Sequence, residues 1–337
     1  MDFFNPKTTN KNLIPNLLIF MKKTAIIAAM ILSSNIIAQD FDALIKQKAI
    51  NYEADVIELR HWFHQNAELS NREYKTAEKI ALNLTGELES RKNHFRVHTK
   101  INFEIENLRS NNIVDINIFD CSFDYDDIKL MVSDMDSTLI SIETIDEIAK
   151  EVGLSNEVSL ITEEAMQGHL DFSESFKKRL SILKGARTES FNEVYENKLK
   201  LNPGAQELVN FFKSNSIKTA LVSGGINYFA DKVKKQLGID TYRANEVEIK
   251  NEALTGRVVG HVIDAKAKAK YISELCGHYQ LDPNQVIAIG DGANDLEMMK
   301  LAGLSVAYHG KPILKKNCDI QINYGGLDVL IDFFDQS

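Results

Sequence analysis

The fold is indicated by residues 128–138, which read IKLMVSDMDST. The run from Ile128 to Val132 is short, mostly apolar and followed by polar residues, as is typical of a buried strand in a parallel sheet. Asp134 and Asp136 stand directly after it, separated by one residue. Because alternate side chains of an extended segment point the same way, we expect both carboxylates to face one side.

The same arrangement occurs twice more. Residues 219–222 form an apolar run that leads into Ser223-Gly224-Gly225, and residues 286–289 lead into the stretch GDGAND at 290–295. Helical patterns separate the runs, and a fourth apolar run lies at 304–307. Strands that alternate with helices predict an α/β fold with an open parallel sheet, whose ligands bind beyond the carboxyl ends of the strands. We therefore expect the three polar segments to meet in one crevice.

The residues of this crevice suit phosphoryl transfer. Asp134, Asp136, Asp291 and Asp295 would repel one another unless a cation lay among them. Oxygen ligands without clustered His or Cys indicate a hard divalent ion, and Mg²⁺ suits a neighbouring phosphate. The Ser-Gly-Gly segment offers a hydroxyl and backbone N–H groups to an anion, and a lysine would complete the neutralisation. One carboxylate can act as nucleophile and another as general acid and base.

Each motif alone also has an ordinary structural interpretation. An Asp-x-Asp turn is most often a solvated or capping feature, and Ser-Gly-Gly or Gly-Asp-Gly is often only a loop. Lys268 stands between Lys266 and Lys270 and could be a surface lysine of a helix. Their occurrence together, each at a strand end or on an adjoining helix, favours a common site.

Composition and charge exclude several classes of protein. The chain has 337 residues, 44% hydrophobic and 26% charged, which indicates about two globular domains rather than a disordered, collagenous or multi-span membrane protein. Its net charge of −9 makes a nucleic-acid partner unexpected. The three cysteines are too scattered for a disulfide framework and favour a reducing compartment.

The amino-terminal part divides into three predicted segments. Residues 1–38 form a leader whose stretch at 21–38 has the pattern of a secretory signal and is too short for a stable membrane span. Residues 39–90 include a part that resembles the opening of zinc-dependent amidohydrolases of the aminoacylase and carboxypeptidase kind. His61 and His64 alone do not fill a metal site, so this fragment is predicted to be non-catalytic. Residues 91–127 are a linker of unknown role.

From about residue 128 to 337, the crevice motifs resemble those of the haloacid-dehalogenase superfamily, and in particular its phosphoserine phosphatase family. The resemblance implies an α/β, Rossmann-like parallel sheet with an inserted helical cap at about 145–200, preceded here by a mostly helical extension. It also implies Mg²⁺ as cofactor and hydrolysis of O-phospho-L-serine through an aspartyl-phosphate.

The resemblance further assigns roles to residues. Asp134 matches the nucleophile and Asp136 the general acid and base. The Mg²⁺ ligands would be Asp134, Asp136 and Asp291, with Asp295 in support. The substrate-binding positions would be Glu143, Arg179, Ser223, Gly224, Lys268 and Asn294.

The cap should select the substrate. Glu143 and Arg179 occupy the positions that would receive the ammonium and the carboxylate of phosphoserine. Alternatively, Glu143 could be a carboxylate that is favoured at a helix start by the helix dipole, and Arg179 could be an ordinary surface charge. Met166 and Phe172 match apolar cap residues near the substrate.

The predicted function is Mg²⁺-dependent phosphoserine hydrolysis, the last step of serine biosynthesis, in the cytoplasm. One alternative is hydrolysis of another small phosphomonoester. The other is an amidohydrolase-related protein, exported or tethered if the segment at 21–38 is used. The expected partner is a small-molecule substrate, with neither nucleic acid nor a stable membrane span, and the oligomeric state stays open.

Overall fold

A computed structural model describes residues 87–90, 95–98, 115–117, 127–166 and 169–334. The chain divides into two units, residues 1–116 and 117–337. The described strands of the first unit are β1 (Glu87–Ser90) and β2 (Phe95–His98), which pair antiparallel with Glu87 opposite His98. The predicted leader, the helical extension before residue 87, and both His61 and His64 lie outside the described residues.

The second unit is built on a seven-stranded sheet, in the order β6-β5-β4-β3-β7-β8-β9. Neighbouring strands are parallel except β5 and β6, which are antiparallel. This confirms the predicted α/β class. The strands are β3 (Leu130–Ser133), β4 (Lys218–Ile226), β5 (Thr241–Lys250), β6 (Ala253–Val259), β7 (Val286–Gly290), β8 (Leu304–Tyr308) and β9 (Ile320–Ile322).

The central strands are buried along their whole length. Every residue of β3, β7 and β8 is buried, because helices cover both faces of the sheet. This explains why their sequences are continuous apolar runs and why the runs could be recognised without the structure.

Helices fill the connections between the strands. Four of them lie between β3 and β4 and form the inserted cap, as predicted: α1 (Thr144–Glu151), α2 (Ser155–Met166), α3 (Phe172–Ile182) and α4 (Thr188–Asn197). The core helices are α5 (Ala205–Ser214), α6 (Asn227–Leu237), α7 (Ala265–Tyr279), α8 (Leu296–Leu301), α9 (Pro312–Lys315) and α10 (Ile331–Phe334). Short 3₁₀ turns cover Pro283–Gln285, Ala293–Asp295 and Leu327–Leu330.

Local sequence signals set the ends of two helices. Asp171 precedes α3 and forms a capping box with Glu174, in which each side chain accepts a hydrogen bond from the other residue's backbone N–H. Gly238 ends α6 with a φ of +73°, a left-handed conformation that glycine adopts without strain.

Four strands differ from the expectation. Strand β4 runs through the Ser-Gly-Gly segment to Ile226, with a shift of register against β5 after Val222. Strands β5 and β6 form a hairpin that the sequence did not predict, because few of their residues are buried. Strand β9 has only three residues and gives no periodic signal.

Asn117, within the predicted linker, contacts the edge strand β9. The Asn117 side chain donates a hydrogen bond to the Gln321 carbonyl (3.0 Å) and accepts one from the Gln321 N–H (2.8 Å). Because β9 lies at the edge of the sheet, Asn117 satisfies backbone groups that the sheet leaves open. Among the described residues, no helix is both long and apolar enough to cross a membrane.

Candidate active site

The site lies at the carboxyl ends of β3, β4 and β7. Strand β3 is flanked by β4 on one side and β7 on the other, so the segments that follow these three strands meet. Asp134 follows β3 directly, and its N–H donates to the Ile289 carbonyl of β7 (2.8 Å). The crevice predicted from the sequence is therefore formed.

The centre of the crevice is an ion triad of Lys268, Asp134 and Asp295. Lys268 Nζ lies 2.8 Å from Asp134 Oδ1 and 2.7 Å from Asp295 Oδ1, and none of the Lys268 side chain is exposed. Burial alone would lower the pKa of Lys268, but the two carboxylates outweigh it and raise the pKa above its ordinary value. Lys268 is therefore a charged group and not the surface lysine of the alternative interpretation.

The start of α7 determines where Lys268 points. Asp264 precedes the helix, and its side chain accepts a hydrogen bond from the Ala267 N–H (2.9 Å). This capped first turn places Lys268 on the face that is directed at the crevice. Lys266, two residues earlier, is exposed, whereas Lys268 is buried at the crevice.

Asp295 organises the loop after β7. Its Oδ2 accepts hydrogen bonds from the N–H groups of Asp291 (3.2 Å) and Gly292 (3.1 Å), while Oδ1 faces Lys268. A Cβ atom at Gly290 would lie 2.4 Å from Asp295 Oδ2, so only glycine fits there. With both oxygens engaged, Asp295 holds the loop and the lysine in place.

Three carboxylates form a cluster that fits a divalent cation. One oxygen each from Asp134, Asp291 and Asp295 lies within 4.8 Å of the others. Burial and the neighbouring Asp295 raise the pKa of Asp134 well above its ordinary value, and the same two causes raise that of Asp291 to about 7. One lysine does not neutralise this charge, and an all-oxygen donor set is what hard divalent ions bind.

Asp136 faces the same crevice. Its Oδ1 accepts a hydrogen bond from the Thr144 N–H at the start of α1 (3.1 Å), and its Oδ2 lies 3.4 Å from Ser223 Oγ. Burial, followed by the nearby Glu143 carboxylate, raises the pKa of Asp136 to about 7. At neutral pH this carboxyl group can both give and take a proton.

The glycines after Ser223 allow a close approach of core and cap. A Cβ atom at Gly225 would lie 2.5 Å from Asp136 Oδ2, and one at Gly224 would lie 2.4 Å from Phe172 Cζ. Phe172 of α3 therefore covers the segment, as expected for an apolar cap residue. The side chain of Met166 lies outside the described residues.

The Ser-Gly-Gly segment is held by hydrogen bonds. Ser223 is buried, and its Oγ accepts from the Gly225 N–H (2.8 Å). Asn245 of β5 donates to the Gly224 carbonyl and accepts from the Ile263 N–H, both at 2.7 Å. These contacts fix the backbone of the segment that follows Ser223.

Glu143 and Arg179 lie on the cap side of the crevice. Glu143 is exposed, and its Oε1 accepts a hydrogen bond from Ser137 Oγ (2.8 Å). The Arg179 side chain is only 14% exposed, and its Nη1 lies 3.9 Å from Asp146 Oδ1. Burial lowers the pKa of Arg179, and the nearby Asp146 and Glu143 carboxylates offset only part of this effect. The buried Nε of Arg179 has no hydrogen-bond partner among the described residues, which is consistent with a donor whose acceptor is supplied by a bound ligand.

Asn294 lies in the 3₁₀ turn beside the carboxylate cluster. It is half-buried, and its Oδ1 would be 2.3 Å from a Cβ atom at Gly292. Short side-chain distances thus join six of the predicted site residues: Asp134, Asp136, Ser223, Lys268, Asp291 and Asp295. Sequence reasoning missed Asn202 and Asn245, whose side-chain amides donate to backbone carbonyls 64 and 21 residues away. It also missed Thr144, whose backbone N–H holds Asp136. No local pattern in the sequence indicates such contacts before the fold is known.

Comparison with known proteins agrees with this geometry. A family model for haloacid dehalogenase-like hydrolases matches residues 128–303. The phosphoserine phosphatase of Polaromonas sp. strain JS666 is 48% identical over 211 residues, which cover 61% of this chain and 89% of that protein. Two solved phosphoserine phosphatase structures, a substrate-bound complex and a phospho-aspartyl intermediate analogue, align with TM-scores of 0.58. Each is 38% identical and covers 62% of this chain and 99% of its own.

The raised pKa values predict how stability depends on pH. Folding raises the pKa of Asp136 and Asp291 from an unfolded value near 3.8 to about 7, so the stability that these groups contribute is lost as the pH rises from about 4 through about 7. The pKa of Asp134 is raised in the same direction. In EDTA, we expect the Tm in thermal melts to fall by roughly 5 °C between pH 6 and 8. A divalent cation should raise the Tm most at pH 8, where protons do not compete.

Asp291→Asn provides the matched control, because it removes one charge of the cluster. In EDTA, the Tm of this variant should fall less between pH 6 and 8 than the Tm of the wild type, and a divalent cation should raise it less than it raises that of the wild type. A wild-type Tm in EDTA that stays constant or rises from pH 6 to 8 would contradict this account of the cluster.

Proposed function

Since the chain belongs to the haloacid dehalogenase-like hydrolases, we propose that it hydrolyses O-phospho-L-serine to L-serine and phosphate. The observation that carries the proposal is the buried Lys268, which holds Asp134 and Asp295 at the carboxyl end of β3. A lysine, a carboxylate cluster and a Ser-Gly-Gly segment directed at one point match the charge distribution of a transferring phosphoryl group.

We propose Mg²⁺ as the cation. Its ligands would be the Asp134 and Asp291 carboxylates and the Asp136 backbone carbonyl, with Asp295 in support. The oxygens of Asp295 already bond Lys268 and two backbone N–H groups, which supports this division of roles. When bound, Mg²⁺ would neutralise the cluster and the phosphate oxygens and so let an anionic nucleophile approach an anionic ester.

Asp134 is the proposed nucleophile. Its Oδ1 is fixed by Lys268, which leaves the second oxygen to attack phosphorus. The bond from phosphorus to the serine oxygen breaks as the bond to Asp134 forms, giving an aspartyl-phosphate. Water then attacks the same phosphorus and releases phosphate and the free Asp134 carboxylate.

Asp136 is the proposed general acid and base. It gives its proton to the departing serine oxygen, and the resulting carboxylate then takes a proton from the attacking water. A pKa of about 7, caused by burial and Glu143, fits both steps. The bond from the Thr144 N–H holds Oδ1, so Oδ2, on the side of Ser223, would carry the proton.

The phosphate oxygens would be bound by three groups of the core: the Ser223 hydroxyl, the Gly224 N–H and the Lys268 ammonium. Asn294 is proposed to contact the substrate from the loop after β7. All four positions lie at the edge of the sheet where the carboxylates converge, so phosphate binding and chemistry share one point.

Glu143 and Arg179 are proposed to select phosphoserine. Glu143 would receive the substrate ammonium, and Arg179 would bind the carboxylate through its planar guanidinium. The unpartnered Nε of Arg179 supports this role, because a buried donor without an acceptor is costly until a ligand supplies one. The alternative, a phosphatase for another small phosphomonoester, does not require both Glu143 and Arg179, because its substrate need not carry both an ammonium and a carboxylate.

We further propose that residues 128–337 carry the whole activity, with residues 39–90 as a non-catalytic fragment and 91–127 as a linker. A cytoplasmic location is proposed from the cysteine content and from the place of the reaction at the end of serine biosynthesis. Of the three cysteines, Cys276 and Cys318 lie in the described part, and Cys276 is a buried free thiol.

Asp136→Asn tests the two-step mechanism. With p-nitrophenyl phosphate, whose leaving group needs no proton, the variant should release about one equivalent of nitrophenol per enzyme in a burst and then turn over at least about 100-fold more slowly than wild type. The cause is that Asp134 still attacks while no base activates water. Stopped-flow absorbance measures the burst.

Asp134→Asn is the matched control, since it removes the nucleophile and should show neither burst nor turnover. A burst from Asp134→Asn, or steady turnover by Asp136→Asn at the wild-type rate, would contradict the assigned roles.

Arg179→Met tests substrate selection. It keeps the apolar stem but removes the guanidinium, so kcat/KM for phosphoserine should fall about 100-fold because a charged bond to the carboxylate is lost. O-phosphoethanolamine has no carboxylate and should be hydrolysed with nearly the same kcat/KM by both enzymes. Equal losses on the two substrates would favour the alternative of another phosphomonoester.

A further inference from the structure

Ser137, directly after Asp136, has a left-handed backbone. Its φ is +57°, a region that is strained for L-residues other than Asn, Asp or Gly. Neither the motif roles nor the comparisons assign this residue a function. A strained backbone beside a reactive carboxylate persists only where the surrounding contacts hold it, so those contacts indicate what the conformation is for.

Asn202 holds this turn from the far end of the cap insertion. Its side-chain amide donates to the carbonyls of Ser137 (3.3 Å), Thr138 (2.8 Å) and Ile140 (3.1 Å). Backbone bonds from Asn202 N–H to the Leu139 carbonyl and from Ser141 N–H to the Lys200 carbonyl, both 2.9 Å, add to this. Ser137 is therefore fixed in one conformation.

The fixed conformation directs the Ser137 hydroxyl at Glu143. Ser137 Oγ donates to Glu143 Oε1 at 2.8 Å, across six residues. The Glu143 side chain is exposed and lies near Asp136 and Asp291, where its charge adds to the effect of burial, which raises the pKa of both groups. Repulsion from those carboxylates would otherwise turn a long exposed side chain towards solvent.

We propose that Ser137 is a specificity-determining positioning residue that holds Glu143 in place for the ammonium group of an amino-acid phosphate. Its hydroxyl occupies Oε1 and leaves Oε2 for the substrate. This inference rests on the proposed function and extends it, because it assigns recognition of the ammonium to a residue of the core loop and not to the cap alone.

The test is Ser137→Gly with two substrates. Glycine adopts a φ of +57° without strain, so the variant removes the hydroxyl and keeps the loop. The substrates are O-phospho-L-serine and 2-carboxyethyl phosphate, which is the same ester without the ammonium. For phosphoserine, we expect KM to rise about tenfold with kcat within twofold of wild type, while KM for 2-carboxyethyl phosphate stays within twofold.

A double-mutant cycle with Glu143→Gln separates positioning from a general effect on the loop. If Ser137 acts through Glu143, the serine change should raise KM for phosphoserine less than twofold in the Glu143→Gln background. Equal increases of KM on both substrates, or an undiminished tenfold increase in the Gln background, would overturn the inference. Failure of the proposed function is distinguishable, since wild type itself would then not prefer phosphoserine over 2-carboxyethyl phosphate.

Discussion

The structure depends on one interaction, the contact of the buried Lys268 ammonium with the Asp134 and Asp295 carboxylates. A buried ammonium between two carboxylates is stable only if each charge is compensated, and removing one partner of such a set is strongly destabilising. Three separate parts of the chain must therefore be in place together: the end of β3, the first turn of α7 and the loop after β7. The same contact fixes one oxygen of Asp134 and leaves the other for chemistry.

The site divides its tasks between core and cap. The core segments after β3, β4 and β7 supply the charges that match a phosphate, and the sheet order brings these segments together. The cap supplies Arg179 from α3, while Glu143 lies where α1 begins. Between them stands the turn at Ser137, which Asn202 holds at the other end of the cap insertion. Because this turn touches both parts, the position of the cap and the orientation of Asp136 are not independent.

Much of this arrangement could be predicted from the sequence, and particular residues show why the rest could not. Strands β3, β7 and β8 are buried on both faces, so their apolar runs identify them without the structure. The polar residues after them follow from the rule that strand ends converge. Asn202 and Asn245 gave no signal, because each holds a loop 21 or more residues away and an isolated asparagine has no periodicity. The β5–β6 hairpin was missed since its strands alternate in burial only in part.

The central claim is that Asp134 becomes phosphorylated during turnover. The most direct test is to quench the enzyme in acid during hydrolysis of ³²P-labelled phosphoserine with Mg²⁺, reduce the acyl phosphate with borohydride and map the modified peptide by mass spectrometry. We expect the ³²P label to be bound to the protein before reduction and Asp134 to be converted to homoserine by reduction. The claim would be contradicted by label on Ser223 or by homoserine at position 136 or 291. It would also be contradicted if phosphoserine were hydrolysed at its full rate without any phosphoenzyme that survives the acid quench.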